Sequence, residues 1–206
     1  MNIFFLDYET TGLSPYFDDV TEVAIKKLGE NHHYQSLVIP RINGVHYKYV
    51  SDQNIKITGI TNEMIDKDGI EKNISVFNTI KYIENHSTEG PIYIVAHNGN
   101  NFDFILLRKM LYEYQGDPIN INVLNRIKFI DSLNLAKAYL RNERHNQPGL
   151  CKKYQITNQA THRALGDVKA LEQLYIKMCE QFSFHRKMEQ NYFLNNPEIL
   201  LANLFI

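Results

Sequence analysis

Cysteine is scarce. The 206-residue chain has two, Cys151 and Cys179, a number and placement that suggest neither a disulfide framework nor a metal-binding spacing. Cys179 falls in a strongly periodic stretch and reads as a small core residue. This scarcity points to a reducing, intracellular setting, cytoplasmic or nuclear. Long apolar runs are also missing. None approaches the roughly 20 residues needed to span a bilayer, so no membrane association is expected. The N-terminus has neither a basic region nor a long apolar one, so no signal peptide and no secretion are expected. An excess of charge of one sign is absent too. With a formal net charge of -1 there is no global basic field, and a nucleic-acid partner would have to be held by a local patch and bound cations. No internal repeat or low-complexity segment stands out. What remains is 44% hydrophobic and 22% charged, the balance of one soluble domain with a substantial core.

The chain is organised around residues 3 to 13. An apolar run, Ile3-Phe4-Phe5-Leu6, stops at Asp7; Glu9 follows two positions on, then Thr10-Thr11-Gly12. Such a run ending at a turn signal predicts a buried strand. Side chains alternate along a strand, so Asp7 and Glu9 share a side. Two carboxylates so placed repel each other and pay desolvation, unless a cation sits between them. All-oxygen ligands suit hard ions such as Mg²⁺ or Mn²⁺. A solvated strand end is the plainer alternative.

Further strands are expected over 20–28 and 33–39, the latter stopped by Pro40, and together with the first they form an antiparallel meander. Residues 41–56 read as irregular, with a loop signal at Asn43-Gly44. Thr61 is expected to cap a short helix. Asn73 is expected to cap a second, with Val76, Phe77, Ile80 and Ile83 on one face. Gly90-Pro91 marks a turn. Ile92 to Ala96 is read as a buried parallel strand that ends in the polar turn His97 to Asp103. A helix follows through Phe104, Leu107, Met110, Leu111 and Tyr114, closed by Gly116-Asp117-Pro118. Ile127 to Ile130 is a short strand ending at Asp131, and Ser132 is expected to cap the next helix, to about Leu140. Residues 141–149 read as a mobile loop. Thr161 is expected to cap the last long helix, whose apolar face is Ala164, Val168, Leu171, Leu174, Tyr175 and Met178.

This order predicts an α/β fold: a mixed five-stranded sheet, antiparallel in front and then parallel, flanked by helices. Ligands gather at the carboxyl ends of strands in such sheets, where Asp7, the 97–103 turn and Asp131 converge. Four acids then share one neighbourhood: Asp7, Glu9, Asp103 at a helix start and Asp167 on the last helix, with His162 five residues before Asp167. Each has a plain alternative. Asp103 could complement a helix dipole, Asp167 could be a solvated helix acid, and His162 a surface histidine. Asp131 reads as a helix-start acid or a support for these groups.

Three of these stretches together resemble one family. Phe4 to Leu13, Ala96 to Asp103, and His162-Arg163-Ala164-Leu165-Gly166-Asp167 resemble, in order, the three motifs of the DEDDh (DnaQ-like) 3′→5′ exonucleases. The His-x4-Asp spacing is that of the "h" branch. Ile57 to Thr61 resembles a segment between the first two motifs. The second motif, His-Asn-Gly-x-x-aromatic-Asp, is similar to that of the three-prime repair exonuclease (TREX-type) group, as are Phe129 to Ser132 and Gly166-Asp167. Members of that group can carry Arg before the aromatic; here it is Asn101, which leaves that phosphate contact and any inherited strand preference open.

The resemblance implies an RNase H-like fold, with the exonuclease domain over 1–181 and residues 182–206 as an extension packed on it. It implies two divalent cations, Mg²⁺ or Mn²⁺, held by Asp7, Glu9, Asp103 and Asp167, with His162 as general base. An imidazole, whose ordinary pKa is about 6.5, suits that task, and His162 is expected on a segment that closes over substrate. Substrate contacts implied are Glu9, Thr10, Leu13, Ile57, Phe102, His162 and Arg163, the apolar ones packing on the terminal base; for Leu13 and Phe102, core packing is the alternative. Asn98 is expected to order its turn. Arg141, Arg144, His145, Lys152, Lys153 and Arg163 offer either phosphate contacts or solvated surface. The implied substrate is a nucleic acid 3′ end, DNA ahead of RNA. An exoribonuclease is an alternative. So is a proofreading or scaffold subunit that binds 3′ ends and docks a polymerase, and the TREX-type likeness raises the prospect of a homodimer. At the C-terminal end, Asn196-Pro197-Glu198 marks a helix start, and the apolar residues from Ile199 to Ile206 either pack back on the domain or dock a partner.

Overall fold

The computed structural model describes residues 1–42, 45–140, 144–158 and 162–202. The strands are β1 (Ile3–Thr10), β2 (Val20–Lys27), β3 (His33–Leu37), β4 (Arg41–Ile42), β5 (His46–Tyr47), β6 (Ile92–Ala96) and β7 (Ile127–Asp131). The helices are α1 (Asp52–Thr58), α2 (Asn62–Asp68), α3 (Lys72–His86), α4 (Asp103–Tyr112), α5 (Ile121–Arg126), α6 (Ser132–Tyr139), α7 (Gln147–Lys153), α8 (Ala164–His185), α9 (Tyr192–Asn195) and α10 (Pro197–Ala202). Five strands form the main sheet in the order β3-β2-β1-β6-β7. β1, β2 and β3 pair antiparallel; β6 runs parallel to both β1 and β7. The expected mixed sheet, an RNase H-like arrangement, is therefore the one observed. Among the described residues no helix is long and apolar enough to cross a membrane.

β1 lies at the centre and is covered on both faces, which is why its first four residues are all apolar. Phe4, Leu6 and Tyr8 enter a core with Val76, Ile80 and Ile83 of α3 and Leu107 of α4. Ile3 and Phe5 enter the opposite core with Val168, Leu171, Tyr175 and Met178 of α8. Strand alternation therefore carries Asp7 and Glu9 onto the α8 side. The predicted apolar face of α8 is buried throughout, and Cys179 is core. α8 continues without a break to His185, and Phe193 and Leu200 join the same cluster.

Several local expectations are corrected. Residues 41–56 hold the small β4–β5 ladder and most of α1. α1 starts at a Ser51 cap and ends at Gly59 (φ 71°), where a left-handed residue is needed. Thr61 caps α2 as expected, but α3 begins at Lys72, and the Asn73 side chain instead bonds both backbone groups of Gln115. Asp131, not Ser132, caps α6. The stretch read as a mobile loop over 141–149 runs into helix α7, capped by Asn146 and entered through Pro148, a position where the missing N–H costs nothing. Asn43, Gly44, Arg141, Thr161 and residues 203–206 lie outside the described residues, and the expectations placed on them go no further.

Candidate active site

Three of the four predicted acids form one cluster. A carboxylate oxygen from each of Asp7, Glu9 and Asp167 can be chosen so that all lie within 4.8 Å of one another. β1 supplies the first two through its alternation, and the first turn of α8 supplies the third. A register shift between Glu9 and Thr10 follows directly. Such a bulge bends the strand and re-aims the side chains beside it.

Asp103 stands next to this cluster, close enough to act on the Asp7 carboxyl. It is 3% exposed, and its Oδ1 accepts the Tyr8 amide at 3.1 Å. The second motif's acid is thereby fastened to the backbone between Asp7 and Glu9.

The electrostatics report an uncompensated cluster. Burial, then Asp103, Asp167, Glu9 and Glu22, push Asp7 well above the usual carboxylate range. Burial, then Asp167, Glu22 and Asp103, raise Glu9 to about 8, with Arg163 acting in the opposite sense. Burial raises Asp103 to about 7 despite the amides it accepts. Burial also raises Asp167, against the pull of the His162 amide and Asn158. Carboxyls held up in this way bind a proton or a cation more readily than isolated ones. The donor set is all oxygen, which fits a hard divalent cation.

Asp167 is held from three directions. The His162 amide donates to Oδ2 (2.9 Å), Asn158 Nδ2 to Oδ1 (2.7 Å), and Gln147 Nε2 to the Asp167 carbonyl (3.0 Å). Gln147 and Asn158 escaped the sequence reading. The Asn146-Gln147-Pro148 helix-start signal could have found the first; nothing local marks the second. His162 itself is exposed and left-handed (φ 60°), a conformation that costs a non-glycine residue of order 1 kcal/mol and clusters at functional sites.

Asp131 is the support that the sequence suggested. Its carboxylate accepts the amides of Asn98 and Asn100 (3.0 Å each), and of Leu133 (2.9 Å) and Asn134 (3.4 Å). It thus ties the turn before Asp103 to the start of α6. Asp131→Ala is expected to cost about 3 kcal/mol in a urea titration; a loss below about 0.5 kcal/mol, as at an ordinary surface position, would contradict this role. Beside it, His97 shares a 2.9 Å hydrogen bond with Ser132. Burial lowers its pKa to about 4, so the ring is neutral at pH 7.

The expected substrate residues divide. Leu13 is 95% exposed and Ile57 48% exposed, so core packing does not account for Leu13. Asn54 Nδ2 donates to the Thr10 carbonyl (3.1 Å). Three residues further along α1, Ile57 lies on the same helix face, near the end of β1. The Thr10 hydroxyl turns to the Gly12 carbonyl (2.5 Å). Phe102 is half-buried against the α3–α4 core, and Asn98 is left-handed and bonded to Asn101, ordering its turn as expected. Arg163 is engaged within the chain: its guanidinium grips Glu22 through Nε (3.1 Å) and Nη2 (2.6 Å).

The pattern of the Exonuclease (RNase T) family matches residues 4–175 of this chain. The chain is 30% identical over 179 residues to a PolC-type DNA polymerase III of Thermotoga petrophila, covering 85% of this chain and 12% of that one. It is 28% identical over 193 residues to Exonuclease DPD1, chloroplastic/mitochondrial, of Arabidopsis thaliana, covering 84% and 54%. The chain thus spans only a small part of the PolC-type relatives. In fold it resembles E. coli exonuclease I in complex with a dT13 oligonucleotide (TM-score 0.69, 18% identity, 89% of this chain and 42% of that one). It also resembles exonuclease X in complex with 5′ overhanging duplex DNA (TM-score 0.59, 20% identity, 87% and 92%).

Proposed function

The chain belongs to the Exonuclease family, and on that premise we propose that it is a metal-dependent 3′→5′ exonuclease of the DEDDh type. It shortens single-stranded or frayed DNA 3′ ends and releases 5′-mononucleotides. The observation that carries this reading is the Asp7–Glu9–Asp167 cluster with His162 fastened to Asp167. Asp7, Glu9 and Asp167, supported by Asp103 beside Asp7, would hold two divalent cations, Mg²⁺ or Mn²⁺. When bound, such cations supply Lewis-acid activation of water and neutralise charge on the phosphate and the leaving oxygen.

The residues of the chain do the rest. His162 takes the proton from the attacking water on a ring nitrogen as the new P–O bond forms. The P–O3′ bond breaks, and the released O3′ collects a proton from solvent. Leu13 and Ile57 offer apolar surface to the terminal base. A flat base face packs without regard to its identity, so little sequence preference is expected. DNA is favoured over RNA by the kinship with PolC-type DNA polymerases and the fold shared with exonuclease I bound to dT13. The PolC-type kinship also supports association with a polymerase.

The test is a time course on matched 5′-labelled single-stranded DNA and RNA oligonucleotides with Mg²⁺, with Mn²⁺ and with chelator. The expected result is a cation-dependent ladder shortening from the 3′ end on DNA. A ladder on RNA alone would reassign the substrate and leave the chemistry standing. No cleavage of either would overturn the reading.

A further inference from the structure

One buried carboxylate has no part in the reaction as described. Glu22 lies on β2 directly opposite Glu9 in the β1–β2 register, and it is 1% exposed. Residues paired across two strands point to the same face with Cβ atoms about 4.5–5.5 Å apart. A bare second carboxylate there would add to an already repulsive cluster and strongly destabilise the fold.

Glu22 is not bare. Arg163 grips both its oxygens, Nε on Oε2 (3.1 Å) and Nη2 on Oε1 (2.6 Å). The Ala164 amide donates to Oε2 (2.9 Å), and Gln35 Nε2 from β3 donates to Oε1 (2.8 Å). Arg163 precedes the first residue of α8 and supplies no side-chain cap to that helix. Glu22 therefore does from a neighbouring strand what a capping side chain does locally, satisfying an otherwise orphaned helix amide.

The placement matters because of what comes next to it. Residues 163 and 164 immediately follow His162, whose amide is held by Asp167. Three consecutive residues are thus pinned from two sides, by an acid of the cluster and by Glu22. His162 sits between the pins in a left-handed conformation that the surrounding structure must hold in place. Nothing in this arrangement brings Glu22 to the substrate, since its oxygens are committed to four donors.

We infer that Glu22 is a positioning residue: through Arg163 and Ala164 it sets where His162 stands over Asp7, Glu9 and Asp167. This rests on the assignment of His162 as the base.

The test is a double-mutant cycle on the full chain, with oligonucleotide hydrolysis and melting temperature as readouts. Glu22→Gln keeps the shape but loses the charge that holds the guanidinium. It is expected to lower kcat about 10–100-fold with KM nearly unchanged, and to keep the rise in melting temperature on adding Mn²⁺. In a His162→Ala background the same change should cost less than about 3-fold, because residues acting as one unit are non-additive. Equal losses in both backgrounds, a loss confined to KM, or loss of the Mn²⁺ response would each overturn the inference. If Glu22→Gln fails to fold, Arg163→Lys, which keeps the charge and loses the two-pronged grip, is read in the same cycle. If His162→Ala alone leaves the rate unchanged, the base assignment falls and this inference with it. If His162→Ala is impaired while Glu22→Gln is not, only the inference falls.

Discussion

Asp7→Asn is expected to abolish hydrolysis and at the same time to raise the melting temperature in chelator. Asp7 is the member of the cluster whose carboxyl is pushed up by burial and by every neighbouring acid at once. It is also the residue that the β1 alternation aims at Asp167. Removing its charge should lower the rate at least about 10³-fold, or ~4 kcal/mol of transition-state stabilisation, because the cations can no longer be held together. Without cations the same charge is a liability. A carboxyl whose folded pKa lies above its unfolded value contributes stability below about pH 4, and that contribution is lost as pH rises through the folded pKa. Glu9, raised to about 8, behaves in the same sense. In chelator the wild-type protein should therefore melt lower at pH 8 than at pH 5, and Asp7→Asn should show a flatter profile. At pH 8 the variant should melt about 3–8 °C above wild type, the equivalent of about 1–2 kcal/mol. Saturating Mg²⁺ should reverse the order, raising wild type by about 5–10 °C and the variant by much less. A variant that loses activity and also melts lower in chelator would mean that Asp7 is a structural residue and that the cluster is not a cation site.

His162→Asn should lower kcat about 10²–10⁴-fold, the usual worth of a positioned general base. Asparagine is the informative substitution here. His162 is left-handed, and asparagine accepts that conformation where alanine pays for it. The backbone amide, which donates to Asp167, is untouched by either change. Since the side chain is lost while the acids and their amide donors remain, the Mg²⁺-induced rise in melting temperature should persist in the inactive variant. This separates His162 from Asp7, whose loss removes both activity and the cation response. Unchanged kcat in His162→Asn would eliminate it as the base.

Much of the fold was legible because local pattern reflects burial. The Ile3–Leu6 run reads as a strand covered on both faces, and it is one. The Ala164–Met178 periodicity reads as one face of a long helix, and that face is buried. Among the elements that escaped, the helices α1, α5, α7 and α9 have 7, 6, 7 and 4 residues. Helices that short are marginal alone and exist because tertiary packing holds them. Their caps were nonetheless written in the chain, Ser51 for α1 and Asn146 for α7. Asp131 both ends β7 and caps α6, so the cap falls one position before Ser132.

What the sequence determined by itself is the kind of chemistry: two acids two apart on a strand, and an acid five residues after a histidine at a helix start. These are matters of spacing, which strand and helix periods convert directly into a shared side or a shared turn. What only the tertiary structure decided is which groups meet. Asp103 reaches the Tyr8 amide across 95 residues of chain, and Arg163 finds Glu22 across 141. Neither partner is implied by any local pattern. Strand order and the seating of α8 on β1 and β2 set those encounters, and both follow from how buried layers pack, so the arginine beside His162 meets an acid on the strand next to β1.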